Sequence, residues 1–215
     1  MGLEHESERF DRNERSLSGG FSSLTDVSAR ADIQAFYFQD GFEYFDRFFG
    51  TAGVRVTDHK SFGTEVTYQF APVYVHTETG TRFKASVSTG FRAPSLGELF
   101  GRSAFDGPFG ASTFVGNPAL DPEESIAWEV GIEQELWEGR VELGATYFDI
   151  SIDDLIVSNA FFTSLTNIDE AEIHGVESFV QIRPLDNLTV RADFTFTRSE
   201  DGDGLDLLRR PKKKL

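Results

Sequence analysis

Cysteine is missing altogether from the 215 residues, so neither a disulfide framework nor a thiolate metal site is available. Long apolar runs are missing as well. The longest, Phe70 to Val75 (FAPVYV), is far short of the roughly 20 residues a membrane-crossing helix needs, and transmembrane helices are excluded. Basic residues are scarce, 20 against 36 acidic, and the resulting net charge of −16 repels nucleic-acid phosphates. That argues against a nucleic-acid partner. Residues 1 to 15, MGLEHESERFDRNER, hold no apolar segment of the signal-peptide kind. They point either to a cytoplasmic protein or to a chain lacking its natural beginning.

Catalytic and metal signatures are sparse too. His5, His59, His76 and His174 are scattered without the paired spacing of a metal site. No GxSxG elbow and no phosphate-binding loop occurs, and DGDG at Asp201 to Gly204 has only part of a calcium loop, without the distal Glu. No cofactor, no metal and no enzymatic activity is expected.

What is present is phenylalanine, 22 residues against 5 Tyr and 2 Trp, and a period of two. In Thr81 to Arg92, Phe83, Ala85, Val87, Thr89 and Phe91 share one face, while Arg82, Lys84, Ser86, Ser88 and Arg92 share the other. Ile126, Trp128, Val130, Ile132 and Leu136 oppose Glu129, Glu133 and Glu135, and Leu188 to Phe196 alternates likewise. Weaker alternation covers Gly2 to Phe10, Arg30 to Asp40, Phe49 to Thr57, Glu65 to His76, Arg140 to Val157 and Glu172 to Arg183, with a last strand near Leu208. This predicts about ten strands of roughly 9 to 14 residues, long beside the usual 5 to 6.

HTETG at His76 to Gly80, WEGR at Trp137 to Arg140 and RPLDN at Arg183 to Asn187 read as tight turns. The stretches near 11–29, 93–121, 158–169 and 200–207 read as long loops. Short turns at one rim and long loops at the other are the plan of an antiparallel up-and-down transmembrane β-barrel. A soluble acidic β-sandwich, binding a partner through Phe-rich loops, satisfies the alternation equally well.

Two proline-bearing stretches narrow the choice. GFRAPSLGELFG is followed by NPALDPEESIAWEVG, and the pair resembles the barrel of TonB-dependent outer-membrane receptors of the siderophore and cobalamin type. The resemblance extends over nearly the whole chain. It implies about ten consecutive strands of a barrel of about 22, with the plug domain and the TonB box expected to lie outside this sequence. It further implies a Gram-negative outer membrane, contact with lipid and lipopolysaccharide, energy from TonB-ExbB-ExbD through the plug, and a small metal chelate or vitamin as ligand. Pro94 ends a strand, and Arg92, Asn117, Pro118, Pro122 and Glu123 are expected to brace the rim around it. Glu129, Glu133 and Glu177 are expected in the lumen, paired with Arg82, Lys84, Arg92 or Arg191. Phe105, Phe109, Phe114, Phe161 and Phe162 are the loop aromatics expected to grip ligand. A ten-stranded barrel with a hydrolytic site near His59 is a further alternative.

Overall fold

A computed structural model describes residues 1–18, 21–107, 110–207 and 213–214, with side chains described for residues 1–11, 28–103 and 113–207. Ten strands form one antiparallel sheet in simple neighbour order. They are β1 (Gly2–Ser18), β2 (Phe21–Tyr44), β3 (Phe48–His59), β4 (Gly63–His76), β5 (Thr81–Arg92), β8 (Glu123–Leu136), β9 (Val141–Ser158), β10 (Leu165–Leu185), β11 (Leu188–Asp201) and β12 (Lys213–Lys214). Between β5 and β8 lie a one-turn helix, α1 (Leu96–Phe100), and a separate hairpin of β6 (Arg102–Gly107) and β7 (Gly110–Val115). Among the described residues the sheet is open, β1 and β12 being its two edges. Among the described residues the only other sheet is that two-stranded hairpin, too small to be the second layer of a sandwich.

At one rim the connections are tight. Phe45–Asp46 and Glu138–Gly139 are the central pairs of turns closed by Arg47 N–H to Tyr44 O and by Arg140 N–H to Trp137 O. All four have positive φ, between 53° and 81°. Turns of this hand match the right-handed strand twist.

Over the half of the sheet next to those turns, apolar side chains occupy the outer face and polar ones the inner. Register makes this explicit: Phe38, Val54 and Tyr68 sit side by side on β2, β3 and β4, and Val130, Tyr147, Val176 and Phe196 on β8 to β11. Most of these remain exposed although large. From Ile126 to Leu136 the outer face of β8 is apolar except at Gln134. Ten steps of about 3.3 Å at a tilt of roughly 40° cover about 25 Å along a membrane normal, the height of the apolar band of an outer-membrane barrel. Tyr44, Phe45, Phe48 and Trp137, 49 to 89% exposed, gather at the turn rim where such a barrel carries an aromatic girdle.

The inner face at this height is a ladder of charge. Arg55 pairs with Glu4 at 2.9 Å, Lys84 with Glu133, and Arg82 reaches Glu133, Glu135 and Glu142 at 3.4 to 3.6 Å. The expected partners of Arg82 and Lys84 are thus found. Arg191 instead pairs with Asp193 at 2.7 Å and lies 4.4 Å from the centre of the Phe179 ring, and Arg92 belongs to the rim. Phe179 and Phe148 are two of the inner wall's aromatics, and each lies across a glycine of the adjacent strand. A Cβ on Gly144 would stand 2.6 Å from Phe179, and one on Gly175 would stand 2.7 Å from Phe148, so both strand glycines are required by close approach.

Toward the other rim the faces exchange character. Asp149, His174 and Arg198 form the outer row just past the band. Inside, Ala31, Leu96, Leu99 and Leu120 are buried together, joined by Phe10, Ala29, Phe62, Ile156 and Leu165. Several stretches expected as loops are strand here. Asp11 to Ser18 pairs with Phe21 to Ser28 without a register break, Leu165 to Asp169 belongs to β10, and β11 runs to Asp201. The ladder needs backbone groups only, and a serine-rich strand with water outside meets that requirement as well as an apolar one. The true connections are shorter, 60–62 and 159–164, while the 93–121 stretch contains α1, β6 and β7. The strand expected near Leu208 starts outside the described residues, and β12 pairs with Thr195 and Phe196.

Candidate functional site at the loop rim

β5 ends at Arg92, whose register partner across the ladder is Glu123, the first residue of β8. Both lie beyond the apolar band. The guanidinium grips Glu123 with two parallel bonds, Nε to Oε2 at 2.6 Å and Nη2 to Oε1 at 2.8 Å, the fork geometry that makes Arg–carboxylate pairs strong. Its third nitrogen donates to both oxygens of Glu98, at 3.2 and 3.1 Å. Pro94 follows, buried and with no N–H to leave unpaired.

Ser95 then caps α1. Its hydroxyl accepts the Glu98 N–H, and the Glu98 carboxylate accepts the Ser95 N–H at 2.8 Å and the Ser95 hydroxyl at 2.9 Å, a reciprocal capping box. Leu96 and Leu99, 4% and 7% exposed, point from the helix into the inner core. Burial pushes the Glu98 carboxyl up, but bonds from Ser95 and Arg92 outweigh it and hold the group below its ordinary 4.5. Glu123 behaves alike: burial is opposed by Arg92 and by the Ile156 N–H, 2.8 Å from Oε1, and its value also falls below 4.5. Both carboxylates are ionised at neutral pH.

The chain returns through Asn117 and Pro118. Asn117 N–H donates to Glu98 O at 2.9 Å, its Nδ2 to Leu165 O at 3.0 Å, and its Oδ1 accepts Ala119 N–H. Leu120 drops into the core, and Asn167 holds Asp121 by both its N–H and its carbonyl, each at 3.0 Å. Val115 N–H bonds Thr163 O, and Ser164 Oγ bonds Val115 O. The 93–122 connection and the 159–164 turn are thereby stitched together.

Of the expected rim residues, Arg92, Asn117 and Glu123 are bonded into this one assembly, and Pro94, Pro118 and Pro122 stand beside them in the chain. Sequence reasoning missed Glu98 and Asn167. For Glu98 a signal was available, since Ser95-x-x-Glu98 is a capping-box pattern; Asn167 carries none. Of the aromatics, Phe114 is half-buried in β7, while Phe161 and Phe162 stand on the 159–164 turn, 83% and 57% exposed. Phe105 and Phe109 lie outside the residues whose side chains are described. His59 is buried beneath Phe62, 4.9 Å between rings, with Nδ1 accepting the Ser61 N–H. That is a packing role, and no metal-binding group of His, Asp and Glu occurs among the described residues.

A family model described as "TonB dependent receptor-like, beta-barrel" matches residues 2–215. The chain belongs to that family. This TonB-dependent receptor chain is 28% identical, over 87% of its length, to an iron-regulated outer membrane virulence protein of Vibrio cholerae, of which it covers 32%. Among solved structures it resembles the siderophore receptor PirA of Acinetobacter baumannii (TM-score 0.72, 20% identity, 98% of this chain and 35% of that one). It also resembles PirA of Pseudomonas aeruginosa (TM-score 0.70, 21% identity, 93% and 43%). It spans about a third of the length of the curated relatives it matches. As a family of receptors and transporters, it places the outward apolar band in the outer membrane of a Gram-negative cell.

Proposed function

We propose that this TonB-dependent receptor chain forms part of the wall and mouth of a receptor that captures an iron chelate of the siderophore class. Capture is at the loop rim, which faces the cell exterior, and admission is driven by TonB-ExbB-ExbD through a plug domain encoded beyond this segment. The observation that carries the reading is the sheet's double character. An apolar band about a bilayer core high faces lipid, while a charged inner wall, closed over by a stitched loop assembly, faces an aqueous interior. The iron-regulated relative and the siderophore-receptor neighbours favour iron over cobalamin.

Phe161 and Phe162, exposed on a turn tied down at Asn159, Thr163 and Ser164, are the aromatic contacts for ligand, with Phe105, Phe109 and Phe114 on the neighbouring hairpin. The polar outer row above the band, including Arg198 and His174, meets lipopolysaccharide. The test is radio-iron uptake by the full-length receptor in an iron-starved host lacking its own siderophore receptors. Ferric siderophores of catecholate and hydroxamate type are supplied in turn, with cobalamin in parallel, with and without TonB. TonB-dependent iron uptake is expected. Cobalamin uptake alone, or uptake indifferent to TonB, overturns the proposal.

A further inference from the structure

The connection between β5 and β8 does not lie over its own strands. Its helix rests on Ala31 of β2 and on Phe10 and Ala29 of the β1–β2 hairpin, and Phe62 of the β3–β4 turn joins the same cluster. At the other end Asn117 bonds the Leu165 carbonyl, and Asn167 of β10 holds Asp121. In sheet order β2 and β10 are six steps apart, through β3, β4, β5, β8 and β9, an arc of about 29 Å at about 4.8 Å per step. One connection is therefore fastened to both ends of that arc and, through Arg92, to its middle.

We infer that residues 92–103 with 113–123 are a fixed brace across the mouth, latched by Arg92, and that these residues do not open and close as a lid. Three kinds of fastening act independently. An apolar seat is made by Leu96, Leu99 and Leu120, a forked ion pair joins Arg92 to Glu98 and Glu123, and an amide stitch runs through Asn117 and Asn167. Glu123 extends the latch to β9 through the Ile156 N–H. A segment that opens in service is held by few buried contacts; this one seats Leu96, Leu99 and Leu120 in a buried cluster beneath its bonds. The brace carries Phe114 and is bonded to the turn bearing Phe161 and Phe162, so these aromatics are preorganised, and ligand capture does not have to spend free energy ordering them. Arg92 is a positioning residue in this scheme and touches no ligand.

The test uses the full-length receptor in lipid vesicles, any native cysteine elsewhere replaced by serine, with spin labels on Ser61→Cys and Ala119→Cys. Both positions are exposed, one on the β3–β4 turn and one on the brace. A single narrow distance is expected. It broadens at least twofold in Arg92→Ala and by an intermediate amount in Arg92→Lys, which keeps the charge but not the fork. If Arg92→Ala does not assemble, Leu99→Ala serves the same purpose by emptying the apolar seat. A broad or two-peaked distance in the native sequence, or a distance unmoved by all these changes, overturns the inference. No ligand and no TonB enters the measurement, so its failure is distinct from failure of the uptake proposal, on whose ligand the brace does not depend.

Discussion

The turn-rim half and the loop-rim half of this sheet use the same strands in opposite senses. Along β8 to β11 near the turns, Val130, Tyr147, Val176 and Phe196 face outward and Glu133 and Arg191 inward. Further along, Asp149, His174 and Arg198 face outward, and Ala171 and Ile173 are buried inside. The backbone ladder hardly changes, so side chains alone tell the sheet where lipid ends. In the lower half the solvent for apolar groups is the bilayer and no packed core is needed. In the upper half water lies outside, and the sheet must build its own core by folding a connection inward. α1 exists for that reason.

The sharpest way to break this comparison is to put charge on the lipid face. Val130→Arg is expected to cost the full-length barrel about 2–4 kcal/mol, read as the shift in urea unfolding in bilayers. Thr146→Arg, on the inner face at the same height, is expected to stay within about 0.5 kcal/mol. Next in size is Leu99→Ala, at about 2 kcal/mol for an emptied apolar site; protease clipping of the 93–122 connection rises while the band stays protected.

Smaller again is Arg92→Ala. The guanidinium is nearly half exposed, so screening limits the loss to about 1 kcal/mol. Acid does the same without mutation. Glu98 and Glu123 sit below their ordinary 4.5 when folded, so their contribution is complete above about pH 4.5 and is lost as pH falls through those lowered values. Loosening of the rim with the band intact, followed by hydrogen exchange between pH 6 and 3, is the expected result. Least for stability is Phe161→Ala, under about 0.5 kcal/mol for so exposed a ring; if the proposed capture of a ferric siderophore holds, affinity for it should fall several-fold.

The lower half was readable in the sequence because its two environments are unlike: lipid and lumen force period-two alternation, and Thr81 to Arg92 and Ser125 to Leu136 were bounded nearly to the residue. The upper half was harder to read. Asp11 to Ala29 looks like a loop because serine and charge dominate, yet a hairpin standing in water needs no apolar face. The proline motifs located the rim, and Arg92 and Glu123 were named from them. That they grip each other follows from ladder register, and that Glu98 joins them follows from a helix turn too short to show periodicity. The aromatics of 159–164 were legible as exposed, whereas their tether to Val115 is made by backbone and Ser164 atoms that leave no pattern in composition.

The rings of Phe148 and Phe179, each laid across a glycine of the next strand, bear on the shape of the inner wall. A large side chain on the inside of a tube ordinarily narrows it, but a ring lying flat on a strand without a side chain adds little more than its own thickness. The inner wall gains apolar cover where charge would otherwise be continuous, at little cost in thickness. The inner surface there is a smooth plate in place of a post: a side chain at Gly144 would displace the Phe179 ring, and one at Gly175 would meet the Phe196 carbonyl as well as the Phe148 ring.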